Sequence, residues 1–414
     1  MTEREFAVEC VRTLQSAGFR ALWAGGCVRD ELLGLEPNDY DIATDARPEQ
    51  VRKLFRRSLA VGAAFGVIEV VGPRDASRGG EHLTVEVATF RSDGTYSDGR
   101  RPDAVTFSSP EEDAARRDFT INGMFFDPIA GELHDYIGGR ADLDAKVLRA
   151  IGDPFARFAE DKLRVLRAAR IATRFDLSVE PATFDAARQM ASQITVVSAE
   201  RIADELRKLL THRNVVVGVW LLRDFGLIEP ILPELIPGLQ YWPRTTNVVT
   251  ALAPKPVAFP LALAVLLRDL GRPTAEAIAD RLRLSNAEKA RVAWLVENRN
   301  VLLDAPTMRP SRLKPILVHP GIGELLALHR AIAVAAGHDV GHVEFCETVL
   351  RETPRGELDP PPVLTGNDLK ALGLKPGPEF KRLLDAVREA QLDGAVRSRD
   401  EALALVRSLP PAPG

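Results

Sequence analysis

Three cysteines in 414 residues, at positions 10, 27 and 346, make neither a disulfide framework nor a zinc site. No apolar run approaches a membrane span; the longest, around residues 259–267, is far too short. Nor does a surplus of positive charge advertise nucleic acid, because the formal net charge is −4. A polyanionic partner must therefore be held by local patches. Lysine is scarce, at 10 of the 54 basic residues, so cationic chemistry falls to arginine. Its planar fork suits bidentate contacts to phosphates and base edges. The opening MTEREFAVECVRTL carries charges where a signal peptide would need an apolar core. A reduced, cytoplasmic setting is the expectation.

What is present describes a globular chain of roughly two to four domains, with 45% hydrophobic and 27% charged residues. Residues 3–18 read as an amphipathic helix, 19–24 as a short strand ending at Gly25-Gly26, and 28–34 as a helical turn or two. Strands are expected at 40–43, 66–71 and 83–90, the last alternating Leu83, Val85 and Val87 with polar neighbours. From about residue 153 the period turns helical. Pro-rich punctuation at 229–260 and 353–362 marks connections between helical sub-domains. A last helix carries Phe380, Leu383, Leu384 and Val387 on one face.

Within the first part, NDYDIAT at 38–44 sets Asp39 and Asp41 two apart in a strand-like run. Alternate strand residues share a face, so both carboxylates would project together while Tyr40 and Ile42 pack behind. Such a pair can share divalent ions that clamp the attacking and leaving oxygens of phosphoryl transfer. An exposed edge strand would carry the same two charges. The preceding WAGGCVRDELLG tips the balance. A strand, then Gly25 and Gly26, then a helix start offers backbone N–H groups to a phosphate, with Arg29 within the first turn.

VEVATFRSDGTYSDGRRP, residues 85–102, leaves a strand through Glu86 and turns Gly-, Ser- and Asp-rich. Arg91, Asp93, Arg100 and Arg101 then belong to a flexible loop over a polyanion, and an ordinary hairpin is the alternative. Glu86 is either a third carboxylate at the metal pair or a surface residue. In RRDFTINGMFFDP, residues 116–128, Arg116, Arg117 and Asp118 precede Asn122. Paired arginines suit a triphosphate; a solvated helix end has the same composition.

The order GG-x-VRD-x-LLG…D-x-D, RRDFTIN, then GDPFARFAEDKLRVLRAAR resembles the class II tRNA nucleotidyltransferases and their sister bacterial poly(A) polymerases, over residues 21–210. The resemblance implies an α+β fold: a polymerase-β-like nucleotidyltransferase head at 1–150, then an all-α neck at 151–212, body at 213–352 and tail at 353–414. It implies CTP and ATP as substrates, tRNA held at its acceptor end and elbow, and two Mg²⁺ ions on Asp39 and Asp41. No membrane and no DNA are expected. Gly25, Gly26, Arg29, Arg117, Arg167 and Arg170 would face the triphosphate, with Asp118 and Asn122 supporting the ribose.

The resemblance gives base recognition to Glu160, Asp161 and Arg164. RFAEDKLRVLRAAR reads as one helix, with Asp161 and Arg164 neighbours at i and i+3. An intrahelical ion pair would use the same spacing. Cytosine and adenine, however, both present an amino donor beside a ring-nitrogen acceptor. A carboxylate and a guanidinium can read that pattern and reject guanine and uracil, where the order is reversed. VSAERIADELRKLL, residues 197–210, would brace this helix, with Ser198 as an N-cap.

LALAVLLRDLGRP, residues 261–273, resembles the His-Asp segment of metal phosphohydrolases, but Arg268 stands where the histidine would be. A guanidinium stays protonated and ligates no metal, so no phosphohydrolase activity is expected. His338 and His342, four apart, read as surface residues. The expected activity is template-independent addition of CCA to tRNA. A poly(A) polymerase, or an enzyme adding only A beside a separate CC-adding partner, is the alternative. A non-catalytic RNA-binding protein would have lost some of these site residues, and all of them are present.

Overall fold

The computed structural model describes residues 1–62, 65–75, 79–94, 104–253 and 255–410. The chain divides into two compact units, Met1–Ile236 and Pro237–Gly414. The first opens with α1 (Glu3–Ser16), started by a reciprocal cap between Thr2 and Glu5 and burying Phe6, Ala7, Cys10, Val11 and Leu14. There follow β1 (Ala21–Ala24), α2 (Gly26–Leu32), β2 (Asp41–Thr44), α3 (Pro48–Leu54), β3 (Ser58–Gly62), β4 (Val67–Asp75) and β5 (Glu81–Thr89). A short pair, β6 (Arg91–Asp93) and β7 (Val105–Phe107), leads to α4 (Pro110–Ala115). Strands β8 (Phe125–Asp127) and β9 (Glu132–His134), α5 (Gly139–Asp144) and β10 (Val147–Leu148) complete the head.

Seven strands form one mixed sheet in the order β3-β4-β5-β2-β1-β8-β9. Among the described residues only β2 and β5 run parallel within it, pairing Asp41 with Glu86 and Ile42 with Val87. In β5 the residues Leu83, Val85 and Val87 turn inward while Glu81, Thr84 and Glu86 face out, as the alternation in the sequence required. Ile42, Trp23 and Val87 are fully buried in the centre. This sheet core sets the floor on which the polar residues of β2 stand.

The helical part of the first unit comprises α6 (Pro154–Glu160), α7 (Leu163–Phe175), β11 (Ser178–Val179), α8 (Pro181–Met190), α9 (Ala199–Leu210), α10 (Val215–Asp224) and α11 (Ile228–Ile231). One expectation fails here. Residues 157–170 do not form a single helix; the chain breaks at Asp161, whose backbone is extended at φ −140°, ψ 108°. Its Oδ1 accepts the Leu163 N–H at 3.0 Å, so the aspartate starts a new helix instead of continuing the old one. Asp competes for backbone donors in this way wherever its side chain can reach them.

The second unit is helical throughout its described elements. Its helix Phe259–Leu267 buries nearly every residue. Arg268, just beyond, is buried and donates Nη1 to the Val265 carbonyl at 2.8 Å. His338 is exposed, and the His342 ring meets His329 edge-on with centroids 5.5 Å apart. Toward the C-terminus, Phe380, Leu383 and Val387 of helix Pro378–Leu392 pack with Leu364, Leu369 and Val406, and Leu384 lies against them partly buried. Among the described residues no helix is long and apolar enough to cross a membrane.

Candidate active site

A polar cavity of about 780 Å³ in the first unit gathers Gly25, Gly26, Arg29, Asp39, Asp41, Arg117, Asp118, Asn122, Asp161, Arg164, Arg167 and Arg170 on its wall. Most of the residues singled out in the sequence therefore share one chamber, although they come from β2, α2, the segment after α4 and two helices beyond the sheet.

The carboxylate end stands on β2. Asp39 lies two residues before the hydrogen-bonded strand, yet the alternation persists: Asp39 and Asp41 are exposed to the cavity while Tyr40 and Ile42 are buried. Protein surrounds the Asp41 carboxyl closely enough that desolvation, then the charges of Asp39 and Glu86, push its pKa up to about 7. Glu86 is raised as well, by burial, Glu69 and Asp39. These acids lie across adjacent strands, since Glu86 pairs with Asp41 on one side and Glu69 on the other. Beneath them, burial pushes the Cys27 thiol up to about 12, which makes it a packing residue and no nucleophile.

Among the described residues no three His, Cys, Asp or Glu side chains close a metal site by themselves. Glu86 is the cross-strand neighbour of Asp41 and is not among the residues that line the cavity. Two hard, mutually repelling carboxylates still fit a divalent cation of the magnesium type, which takes one or two protein carboxylates and fills its other positions with water and substrate phosphate.

The cationic side of the cavity is built around arginines that are locked in place. Arg29 is buried, gives Nη2 to Asp30 at 2.6 Å and Nη1 to the Asn122 amide oxygen, and lies over the Phe175 ring at 4.1 Å. It fixes Asn122 as much as it faces the cavity. Asn122 in turn donates Nδ2 to Asp118 at 2.9 Å. Arg116 and Arg117 converge on buried Asp113, at 2.7 and 3.0 Å. Burial opposes the charge on Asp113, and the two guanidiniums outweigh it and hold the carboxyl below its usual range.

Gly25 has a structural reason to be glycine. Its φ is +74°, and a Cβ there would lie 2.6 Å from Arg117 Nη1. Gly25→Ala is expected to destabilise the protein by about 1–3 kcal/mol and to displace Arg117. Chemical denaturation together with a raised KM for nucleoside triphosphate would report both effects; unchanged values in each would refute this packing role.

At the far wall, Asp118 is buried and accepts Arg167 at 2.7 Å. Burial raises its pKa, but Arg167 and Asn122 outweigh that and hold it well below the carboxylate range. Arg170 pairs with buried Glu205, which also faces Arg167 at 3.8 Å. The intrahelical ion pair that the i, i+3 spacing also allowed does not form: Asp161 pairs with Arg201 at 2.7 Å, and Arg164 pairs with Glu160. The break in the helix turns the two side chains to different neighbours. Glu160, which also takes Arg157 at 2.9 Å, orients Arg164.

Arg91 and Asp93 belong to β6, paired with Phe107 and Val105 of β7, and not to a loop. Arg91 and Asp93 pair at 3.0 Å, and Asp93 also faces Arg116 at 3.3 Å, so this hairpin stem is tied to the arginine cluster. Arg100 and Arg101 lie outside the described residues. The sequence reading missed Asp113, Arg174, Glu205, Lys208 and the pairing of Arg201. The signal for the last three was present: 201, 205 and 208 lie one turn apart on α9, matching 164, 167, 170 and 174 on α7.

Comparison with known proteins adds independent findings. A family described as the poly A polymerase head domain matches residues 21–149. One described as a probable RNA and SrmB-binding site of polymerase A matches 176–239. The CCA-adding enzyme of Limosilactobacillus fermentum is 32% identical over 97% of this chain and 96% of its own length. That of Enterococcus faecalis is 31% identical over 96% and 94%. Poly(A) polymerase I of Haemophilus influenzae is 38% identical, but over 55% of this chain, which spans about half (51%) of that relative. A solved Bacillus stearothermophilus CCA-adding enzyme in complex with CTP superposes with a TM-score of 0.78 at 28% identity, covering 98% of each chain.

Proposed function

The chain belongs to the family of CCA-adding enzymes and poly(A) polymerases, and from that premise we propose that it adds CCA to the 3′ end of tRNA. It does so in the cytoplasm, without a nucleic-acid template, consuming CTP and ATP and releasing pyrophosphate. One observation favours this over a poly(A) polymerase. Similarity to CCA-adding enzymes runs through both units, whereas similarity to the poly(A) polymerases covers little more than half of the chain.

In this reading residues 1–150 are the catalytic head, 151–212 a neck that reads the base, 213–352 a body and 353–414 a tail that holds the tRNA elbow. Asp39 and Asp41 hold two Mg²⁺ ions, with Glu86 adding negative charge behind them. Bound there, the ions supply charge neutralisation to the attacking and leaving oxygens. Gly25 keeps the chain clear of Arg117, and Arg117, Arg167 and Arg170, with Arg29 behind Asn122, set the field around the triphosphate. Asp118 and Asn122 face the ribose. No protein nucleophile is needed.

Base choice falls to Asp161 and Arg164. The carboxylate accepts the amino proton of cytosine or adenine and the guanidinium donates to the adjacent ring nitrogen. Guanine and uracil offer the reverse order and leave both groups unpaired, which is costly in a partly desolvated site.

The test supplies tRNAs ending before, within and after CC with each nucleotide singly. A bare end should take C alone, a CC end A alone, and a complete CCA end nothing. Addition of A to CC without any C on a bare end would make this an A-adding enzyme. Long A tails on arbitrary RNA would make it a poly(A) polymerase.

A further inference from the structure

Helices α7 and α9 lie against each other. Their paired charges climb together: Asp161 meets Arg201 at the first level, and Arg167 and Arg170 meet Glu205 at the second. The helices therefore run parallel, and each of these levels matches opposite charges. One turn further the pattern breaks. The next residues on the two faces are Arg174 and Lys208, both cationic, and both line the same cavity with Thr211.

Gly218 confirms that these turns are side by side. A Cβ there would lie 2.6 Å from Leu209 and 2.8 Å from Thr173, the chain neighbours of Lys208 and Arg174. Arg174 donates to Asp30 at 2.9 Å, but the other oxygen of Asp30 already holds Arg29. Lys208 is exposed, and its ammonium has no ion-pair or hydrogen-bond partner among the described residues. Nearby His212 is held below its ordinary range by burial and then by the charges of Arg213 and Arg174. The positive potential here exceeds what the protein's own acids answer.

The position of this cationic level decides which anion it takes. Through Asp30, Arg174 connects to Arg29 and so to the glycine end of the cavity. The base-reading residues lie at the opposite end of α7, on the order of 20 Å away along the helix. Given the proposed function, a nucleotide with its base at Asp161 points its β- and γ-phosphates toward Arg174 and Lys208. In nucleotide addition the primer 3′-oxygen bonds to the α-phosphorus as the bond from that phosphorus to the α,β-bridging oxygen breaks. The electron pair leaves on pyrophosphate, and the hydroxyl proton passes to solvent. Attacking and leaving oxygens are roughly in line, so cations on the leaving side meet pyrophosphate and not the primer.

We propose that Arg174 and Lys208 form a pyrophosphate-binding site at this end of the cavity, holding the leaving group as it separates. The inference rests on the nucleotide-adding function proposed above.

The experiment uses the full chain with Lys208→Ala and Lys208→Arg. Binding of inorganic pyrophosphate with Mg²⁺ is measured by calorimetry without nucleotide or RNA, and its inhibition of addition is measured separately. Loss of one charge-assisted contact should weaken binding and inhibition about tenfold in Lys208→Ala, with Lys208→Arg close to wild type. The KM for tRNA should stay unchanged. Unaltered pyrophosphate binding in Lys208→Ala overturns the proposal, and a raised tRNA KM beside it would assign Lys208 to the primer backbone. A wild-type chain that adds nucleotides but binds no pyrophosphate overturns the site alone. One that adds no nucleotide to any RNA overturns the function and the site together.

Discussion

Asp41→Asn is expected to lower nucleotide addition about a thousandfold, because in the proposed function the substitution removes one of the two charges that would hold the metal. The same change should make the metal-free protein more stable above neutral pH. The sign follows from the direction of the shift: Asp41 keeps its proton in the folded protein up to about pH 7, whereas an unfolded aspartate loses it near pH 4. Between those values the folded state binds more protons, so stability falls as pH rises, and above about 7 the full cost of the ionised group is present. At pH 8 the variant should melt on the order of 2–4 °C above wild type without metal. Mg²⁺ should stabilise wild type at pH 8 by mass action, much less at pH 5.5, and hardly at all in the variant. Thermal melts across pH and Mg²⁺ concentration read this out without any assay of activity. A Mg²⁺ response undiminished in Asp41→Asn would remove the carboxylate from the metal site.

The second large effect concerns fidelity. Asp161→Asn keeps a side chain that can still start α7, so the fold should persist. An amide can donate as well as accept, however, and the rejection of G and U should fall by about a hundredfold. Arg201→Ala is expected to behave differently. It leaves the Asp161 carboxylate in place without its 2.7 Å partner, so kcat/KM for CTP and ATP should drop about tenfold at an unchanged preference over G and U. Single-turnover incorporation with each of the four nucleotides separates reading from positioning. If Asp161→Asn discriminates as well as wild type, base choice lies elsewhere.

Much of this was legible in the residues themselves. The alternation at 38–44 placed Asp39 and Asp41 on one face even though Asp39 stands outside the hydrogen-bonded strand. Patterning of that kind is local, and burial of Tyr40 and Ile42 enforces it. The helix break at Asp161 was not legible, because the charged run from Arg157 to Arg170 keeps a helical period straight through it. A single side chain capturing the Leu163 N–H decides that geometry, and a partner on α9, forty residues on, holds it. Arg91 and Asp93 were misread for the opposite reason. Polar composition suggested a loop, while a short ladder to β7 and the ties to Arg116 and Asp113 make an ordered stem. Composition reports solvent preference and is silent on pairing that tertiary structure supplies.

The parallel ladder between β2 and β5 also governs when the site comes into being. A hairpin joins neighbouring antiparallel strands almost as they are made, but β2 and β5 can pair only after β3 and β4 have been laid down beyond them. Bringing Glu86 beside Asp41 therefore closes a long loop, one of the slow, non-local steps of folding. A nascent chain that has exposed the Asp39–Asp41 segment carries scattered acids in ordinary water, with no elevated proton affinity and no particular hold on a cation. The carboxylate end of the proposed site is therefore assembled late, only once β5 has joined the sheet.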